Sequence, residues 1–442
     1  MKRLLLYLGS VLMIVVRSLR QHALSSVVTI GSVGLAAGLV MSVFSVAQQS
    51  RDAFAGGPVG FDAVLGARGS QLQLVLNTVF HLETSPGNVP WSVYEEIAAD
   101  ERVELALPFA VGDNYKGFRI VGTDERIFTE VTFGEGDDAR SLSFEQNGRP
   151  FDGARREAVV GSYVAERTGL KLGSHFYPSH GVRGVIVDEH HDEESGGAHD
   201  DHAHDDEYVV VGVLEPSGTP NDRVIWIPLE GLYRMDGHYL RGDGEQLYEA
   251  QPGEEIPDAV KEVSAVMLQL SERQDGFFLS QDYNKSGGDQ TLAWPISAAV
   301  AQLFNKLGWV SRVLELVAYL VVLVAGGSIL ASLYNTMNER RREFAVLRAL
   351  GARRRTVFAV ILCESSLIAI LGSLVGYGAY YLILTTAAGV VRAETGVVLE
   401  LWRSHPALWW TPLGMLLLGG LAGLLPAFKA YATDVAQTLS RS

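Results

Sequence analysis

With 442 residues, 48 % of them hydrophobic, and a mean hydropathy of +0.14, the chain is too polar to lie wholly in lipid and too uneven for one water-soluble domain. Its formal charge of −15 is unevenly spread: residues 1–48 sum to +4, residues 306–442 to +6 and residues 49–305 to −25. So acidic a middle repels nucleic acid, and a single cysteine, Cys363, excludes an intrachain disulfide or a cysteine-cluster metal site.

Taken in chain order, residues 1–22 hold a short apolar run flanked by Lys2, Arg3, Arg17 and Arg20, with no small-residue cleavage site. This predicts an interfacial helix on the cytoplasmic face, with a fifth span or an uncleaved signal as the alternative. Residues 23–47 are uncharged and rich in Gly, Ala and Ser, as in a membrane span packed closely against another helix. Residues 48–305 then read as an extracytoplasmic α+β domain. Within it, VGDNYKGFRIVGTD, REAVVGSYV and DEYVVVGVLE are β-branched runs between turn residues and predict strands. VPWSVYEEIAAD predicts a helix opened by Pro90. The classes of QLQLVLNTVFHL and DAVKEVSAVMLQL stay open, and the first of these is core or an exposed apolar element.

Residues 310–334, 357–385 and 408–430 are three more apolar stretches of spanning length. Between them lie a basic segment, 335–356, and a charge-balanced loop, 386–407; a tail, 431–442, follows. Basic residues favour the cytoplasm, so Arg17, Arg20 and the arginines of 335–356 put both termini inside and residues 48–305 outside. Trp402, Trp409 and Trp410 suit an aromatic belt at the outer end of the last span. The acids Glu315 and Glu364 lie near arginines, which favours interfacial placement or ion pairing over proton transfer. The expected fold class is membrane α-helical, with four spans, an N-terminal interfacial helix and a large extracytoplasmic α+β domain.

The insertion at 188–207, DEHHDEESGGAHDDHAHDDE, places His190, His191, His199, His202 and His204 among acids. Imidazole and carboxylate at that density suit Zn²⁺ or another divalent ion. The same composition equally describes a solvated loop that binds nothing, because the acids repel and the spacing of a structural site is missing.

The segment after the second span carries the most specific pattern. Met337, Phe344, Leu347 and Gly351 recur at helical spacing with arginines around them, as in a short amphipathic cytoplasmic helix. Spacing alone leaves open whether the arginines anchor topology at anionic lipid or form a docking surface. The run Glu339, Arg340, Arg341, Arg342, Glu343, then Leu347, Arg348, Ala349, Leu350, Gly351 and Ala352, resembles the signature of the FtsX-like permease family. Gly423 to Leu439 resembles the family's C-terminal ending, and the AVVGSYVAERTGLKLGS stretch resembles its periplasmic core domain.

The resemblance implies the permease subunit of an ABC transporter in the cytoplasmic (inner) membrane. It implies two paired permease copies, a separate cytoplasmic ATPase, and an external domain moved for export or extraction, with a periplasmic adaptor or lipoprotein as a further partner. Applied to this chain, Phe344, Leu347 and Leu350 anchor the ATPase and Arg340, Arg341, Arg342 and Arg348 orient it. No Gly-x-x-x-x-Gly-Lys-Ser/Thr run is present, so no nucleotide-binding loop is expected on this chain. Two other classes remain: a signal transmitter of the same architecture that activates a partner such as a cell-wall hydrolase, and a membrane metallohydrolase, which lacks a visible ligand motif.

Overall fold

The computed structural model describes residues 2–55, 60–133, 140–179, 206–235, 238–241, 247–250, 254–285, 288–340, 343, 346, 348–349, 351–401 and 403–432. The chain divides into two compact units, one of residues 1–50, 307–390 and 399–442, the other of residues 51–306 with 391–398.

The first unit is helical. It is built from α1 (Lys2–Gln21) and most of α2 (Ala23–Ala55), together with parts of two longer helices described below and a final helix, Ala407–Ala432. Four helices, at Ala23–Phe54, Ile296–Glu339, Arg354–Thr395 and Ala407–Lys429, are long and apolar enough to cross a membrane. Lipid supplies no hydrophobic drive between helices, so close backbone approach holds them, and glycine permits it. Gly34 and Gly38 of α2 face Gly372 and Gly376: a Cβ on Gly38 would lie 2.6 Å from the Ala379 Cβ, and one on Gly376 would lie 2.7 Å from that of Ala37. Gly419 likewise meets Ala369 at 2.7 Å. Polar ties add to this: the Ser25 and Ser332 hydroxyls lie 3.0 Å apart and those of Ser45 and Tyr380 3.3 Å apart. Around these contacts Val33, Ala37, Met41, Ile329, Ile368 and Leu384 are buried.

The second unit holds the strands β1 (Ala63–Ala67), β2 (Val89–Pro90), β3 (Val103–Tyr115), β4 (Phe118–Thr123), β5 (Glu157–Val160), β6 (His175–Phe176), β7 (Tyr208–Val213), β8 (Ile225–Pro228), β9 (Glu262–Val263), β10 (Ala265–Leu270) and β11 (Gln290–Ala293). Nine form one sheet in the order β11-β1-β10-β3-β4-β8-β5-β7-β6, with β2 and β9 paired apart. The β11 to β4 half is antiparallel, while β4 with β8 and β5 with β7 run parallel. VGDNYKGFRIVGTD, expected as strand, is the end of β3 and all of β4 in one hairpin, turning on Lys116 (φ 50°) and Gly117 (φ 80°), the positive dihedrals that tight hairpin turns use. The short helices α3 (Gln71–Thr78), α4 (Trp91–Ala98), α5 (Arg126–Thr129), α6 (Ser162–Thr168), α7 (Leu229–Tyr233) and α8 (Asp275–Lys285) accompany the sheet.

The segments left open by pattern now have classes. QLQLVLNTVFHL is helix from Gln71 to Thr78, capped by the Ser70 hydroxyl, with Leu74 and Val75 of the helix and Phe80 just past it in the core. DAVKEVSAVMLQL is a 3₁₀ turn followed by β9 and β10. REAVVGSYV is strand only to Val160, because α6 begins after Gly161.

The last three helices are α9 (Ile296–Glu339), α10 (Arg354–Thr395) and α11 (Ala407–Ala432). Two run beyond the apolar stretches read from sequence. α9 starts at Ile296, not near 310, because Ile296, Ala299 and Val300 are amphipathic helix buried in the core of the second unit with Phe61, Phe80 and Trp226. α10 ends at Thr395, not near 385, so the expected loop 386–407 begins as helix, and residues 391–398 belong to the second unit. Arg392 binds Glu166 of α6 at 2.7 Å and lies over the Tyr163 ring, and Ala393 packs on the Tyr208 core.

Candidate functional site

The signature begins where α9 ends. Met337 on its last turn is buried with Val357 and Ile361 of α10 and Ala427 of α11. One residue past the helix, the Arg340 backbone N–H still donates to the Thr336 carbonyl at 3.0 Å, so its side chain keeps a helical direction. That direction is inward: Arg340 is 6 % exposed, Glu364 of α10 5 % and Ser18 of α1 1 %.

A charge cannot be buried alone without a large penalty, and this one is not alone. The Arg340 Nε donates to Glu343 Oε2 at 3.0 Å, and its Nη1 lies 3.9 Å from Glu364 Oε2 and donates to the Ser18 hydroxyl. The Ser18 hydroxyl donates in turn to Glu364 Oε1 at 2.6 Å. Nearby, His22 Nε2 sits 3.2 Å from Glu339 Oε2, at an exposed edge of the same junction. Val11 and Val15 of α1 pack on Val360 of α10 and close one side.

Arg340, expected among residues that orient an ATPase from the surface, therefore points into the helix bundle. Polar groups spaced along α1 and α10 draw it in. Glu339, Glu343 and Ala349 are exposed and Arg348 is half-buried. Gly351 (φ 102°) donates its N–H to the Arg348 carbonyl at 3.1 Å; that positive dihedral ends the helical stretch and turns the chain toward α10. Arg341, Arg342, Phe344, Leu347 and Leu350 lie outside the described residues, as do His190, His191, His199, His202 and His204. Among the described residues no group of three His, Cys, Asp or Glu is placed to hold a metal ion. Of the junction, pattern reading supplied Arg340 and Glu364; Ser18, one serine among many, carried no signal.

Two features of the second unit also escaped sequence reading. A groove of about 540 Å³ is lined by Ser162, Glu166, Lys171, Leu172, Pro216 and Arg392, among others. At another place His81 meets the Trp226 ring edge-on at 5.8 Å between centroids, with Nδ1 shut off from solvent. Burial, helped by the Arg119 and Arg223 charges and opposed by Asn221, pushes its pKa down to about 3.

Comparison with known proteins matches residues 26–266 to a MacB-like periplasmic core domain and residues 315–435 to the FtsX-like permease C-terminal region. The chain belongs to the FtsX-like permease family, with a MacB-like periplasmic core. A macrolide export ATP-binding/permease protein of Shewanella sp. (strain W3-18-1) is 26 % identical over 52 % of this chain and 33 % of its own length. A pyoverdine export ATP-binding/permease protein of Pseudomonas putida is 25 % identical over 53 % and 33 %. An uncharacterized ABC transporter permease of Bacillus subtilis is 25 % identical over 50 % and 57 %. The match thus spans about a third of the length of the two export proteins. The FtsX-like region contains the whole of the Glu339–Ala352 signature and Glu364.

Proposed function

We propose that this chain is the transmembrane subunit of an ABC export or extraction complex in the inner membrane, powered by a cytoplasmic ATPase on another polypeptide. Its orientation puts both termini inside and the acidic unit outside, and two copies form the complex. The ATPase docks on the segment from Glu339 to Ala352, where Phe344, Leu347 and Leu350 enter it as apolar anchors and Arg341, Arg342 and Arg348 guide it. The observation that carries this reading is the placing of that signature between two membrane-length helices, with Arg340 tied to α9 through the Thr336 carbonyl and to α10 through Glu364. The cargo class follows the family: a lipoprotein, peptide, lipid-like or metal-related compound taken up on the outer side, with an adaptor or lipoprotein as partner.

Charge reversal at Arg341 and Arg348 together abolishes co-purification of the ATPase, and undiminished co-purification overturns the docking assignment. A complex that hydrolyses ATP and activates an external hydrolase while moving no cargo makes the chain a signal transmitter instead. The histidines of residues 188–207 act in this reading as a weak divalent-ion trap. Calorimetric titration with Zn²⁺ then gives binding that disappears when those five are alanine, and equal heats from both proteins remove the trap.

A further inference from the structure

Arg340 is the first arginine of the signature and stands at the point where α9 stops. Its side chain meets α10 through Glu364, α1 through Ser18, and the cytoplasmic segment through Glu343. One guanidinium thus joins four pieces of chain, and the same helices also meet in two apolar clusters, Val11, Val15 and Val360 in one and Met337, Val357 and Ile361 in the other.

Buried ion pairs are poor stabilisers, because the cost of removing both charges from water offsets much of their attraction. Apolar side chains of similar size hold helices together as well or better. What the pair adds is obligation. If Arg340 shifts, Glu364 and Ser18 must shift with it or leave a charge unpaired in an apolar setting, which is strongly unfavourable. Backbone connection alone would let the cytoplasmic segment pull on α9 at one end and α10 at the other, and would leave α1 held to α10 by the apolar packing of Val11 and Val15 on Val360.

We propose that Arg340, Glu364 and Ser18 form a mechanical link that makes α1 and the inner end of α10 move together with α9 and the cytoplasmic segment. The purpose of the link rests on the reading of that segment as an ATPase dock; its existence does not. Arg340 and Ser18 are positioning residues here and touch no substrate.

The test places nitroxide labels on Leu12→Cys, exposed on α1, and Ala349→Cys, exposed on the segment, in a Cys363→Ala background. Their distance distribution is measured by pulsed electron resonance on the full chain in lipid nanodiscs. The parent gives one narrow distribution. Arg340→Met and Glu364→Gln each widen it about two-fold, and Ser18→Ala widens it by a smaller factor, because a broken pair frees α1. The decisive variant is the apolar double Arg340→Met/Glu364→Leu. It keeps the parent's thermal midpoint and stays wide, whereas a merely structural pair would restore both. Parental width in the double, or in Arg340→Met, overturns the link; should Arg340→Met not fold, the double and Ser18→Ala carry the same measurement. Co-purification of an ATPase with the parent is scored separately. Widening without a bound ATPase removes the docking reading and keeps the link; a bound ATPase without widening does the reverse.

Discussion

His81 carries the clearest single-residue consequence for stability. An unfolded histidine titrates near 6.5, and in the folded protein burial holds this one neutral down to about pH 3. A depressed folded-state pKa contributes stability that is complete above about pH 6.5. It is lost progressively as the pH falls from there toward 3, at up to about 1.4 kcal/mol per pH unit. Glu157 works in the same direction at lower pH, since its two hydrogen bonds from Arg149, each 2.7 Å, hold its pKa below the usual carboxylate range. The expected outcome is that the protection of β8 amides against hydrogen exchange, measured on the full chain and corrected for the pH dependence of the intrinsic chemical rate, falls between pH 6.5 and 4.5 and that His81→Gln flattens this slope. An unchanged slope in the variant would assign the acid sensitivity elsewhere. None of this was legible beforehand: a lone histidine in an apolar run has no pattern, and its surroundings come from β4 and the loop before β8. The same holds for Ser18, whose meaning depends on an acid 346 positions away.

At the scale of helices and strands, hydropathy found the four helices long and apolar enough to cross a membrane but not where two of them end. Apolarity changes where lipid ends, but the hydrogen bonding of a helix does not, so α9 and α10 continue as amphipathic rods. The strands were readable where β-branched residues alternate between turn residues, as in β4 and β7. They were unreadable where a glycine converts strand into helix within one residue, as at Gly161. The small residues of the first span did foretell close packing, though not the partner. That partner is α10, and the contact yields a sharp expectation. Gly376→Leu drives a side chain into Ala37 and costs about 1–3 kcal/mol or more. Gly378→Leu, two residues along, meets nothing within 4 Å and leaves the thermal midpoint of the purified chain unchanged. Equal losses from both would mean that the close contact with Ala37 does not govern Gly376, since helix propensity alone would favour leucine over glycine at both positions.

For the whole molecule, the split of charge along the chain anticipated the split into two units, because a segment summing to −25 and one rich in arginine suit different sides of a membrane. The orientation proposed above predicts that, in a Cys363→Ala background, a membrane-impermeant maleimide labels Glu272→Cys in intact cells. Ala349→Cys is labelled only after the membrane is opened, and the opposite order reverses the topology. The charge pattern gave no warning that residues 391–398 would join the acidic unit. That assignment depends on Glu166 and Tyr163, which are distant in sequence from Arg392.

The glycine seam between α2 and α10 has one more implication. Surfaces meshed at that closeness act as a detent: a small axial slip brings a methyl against a backbone carbonyl at every notch. The fit returns only after a full four-residue step, about 6 Å along the axis. A stroke that repeats with every cycle of fuel would have to be shorter than that. The two rods would therefore travel as one rigid member, and whatever gives way during work must do so at their other faces.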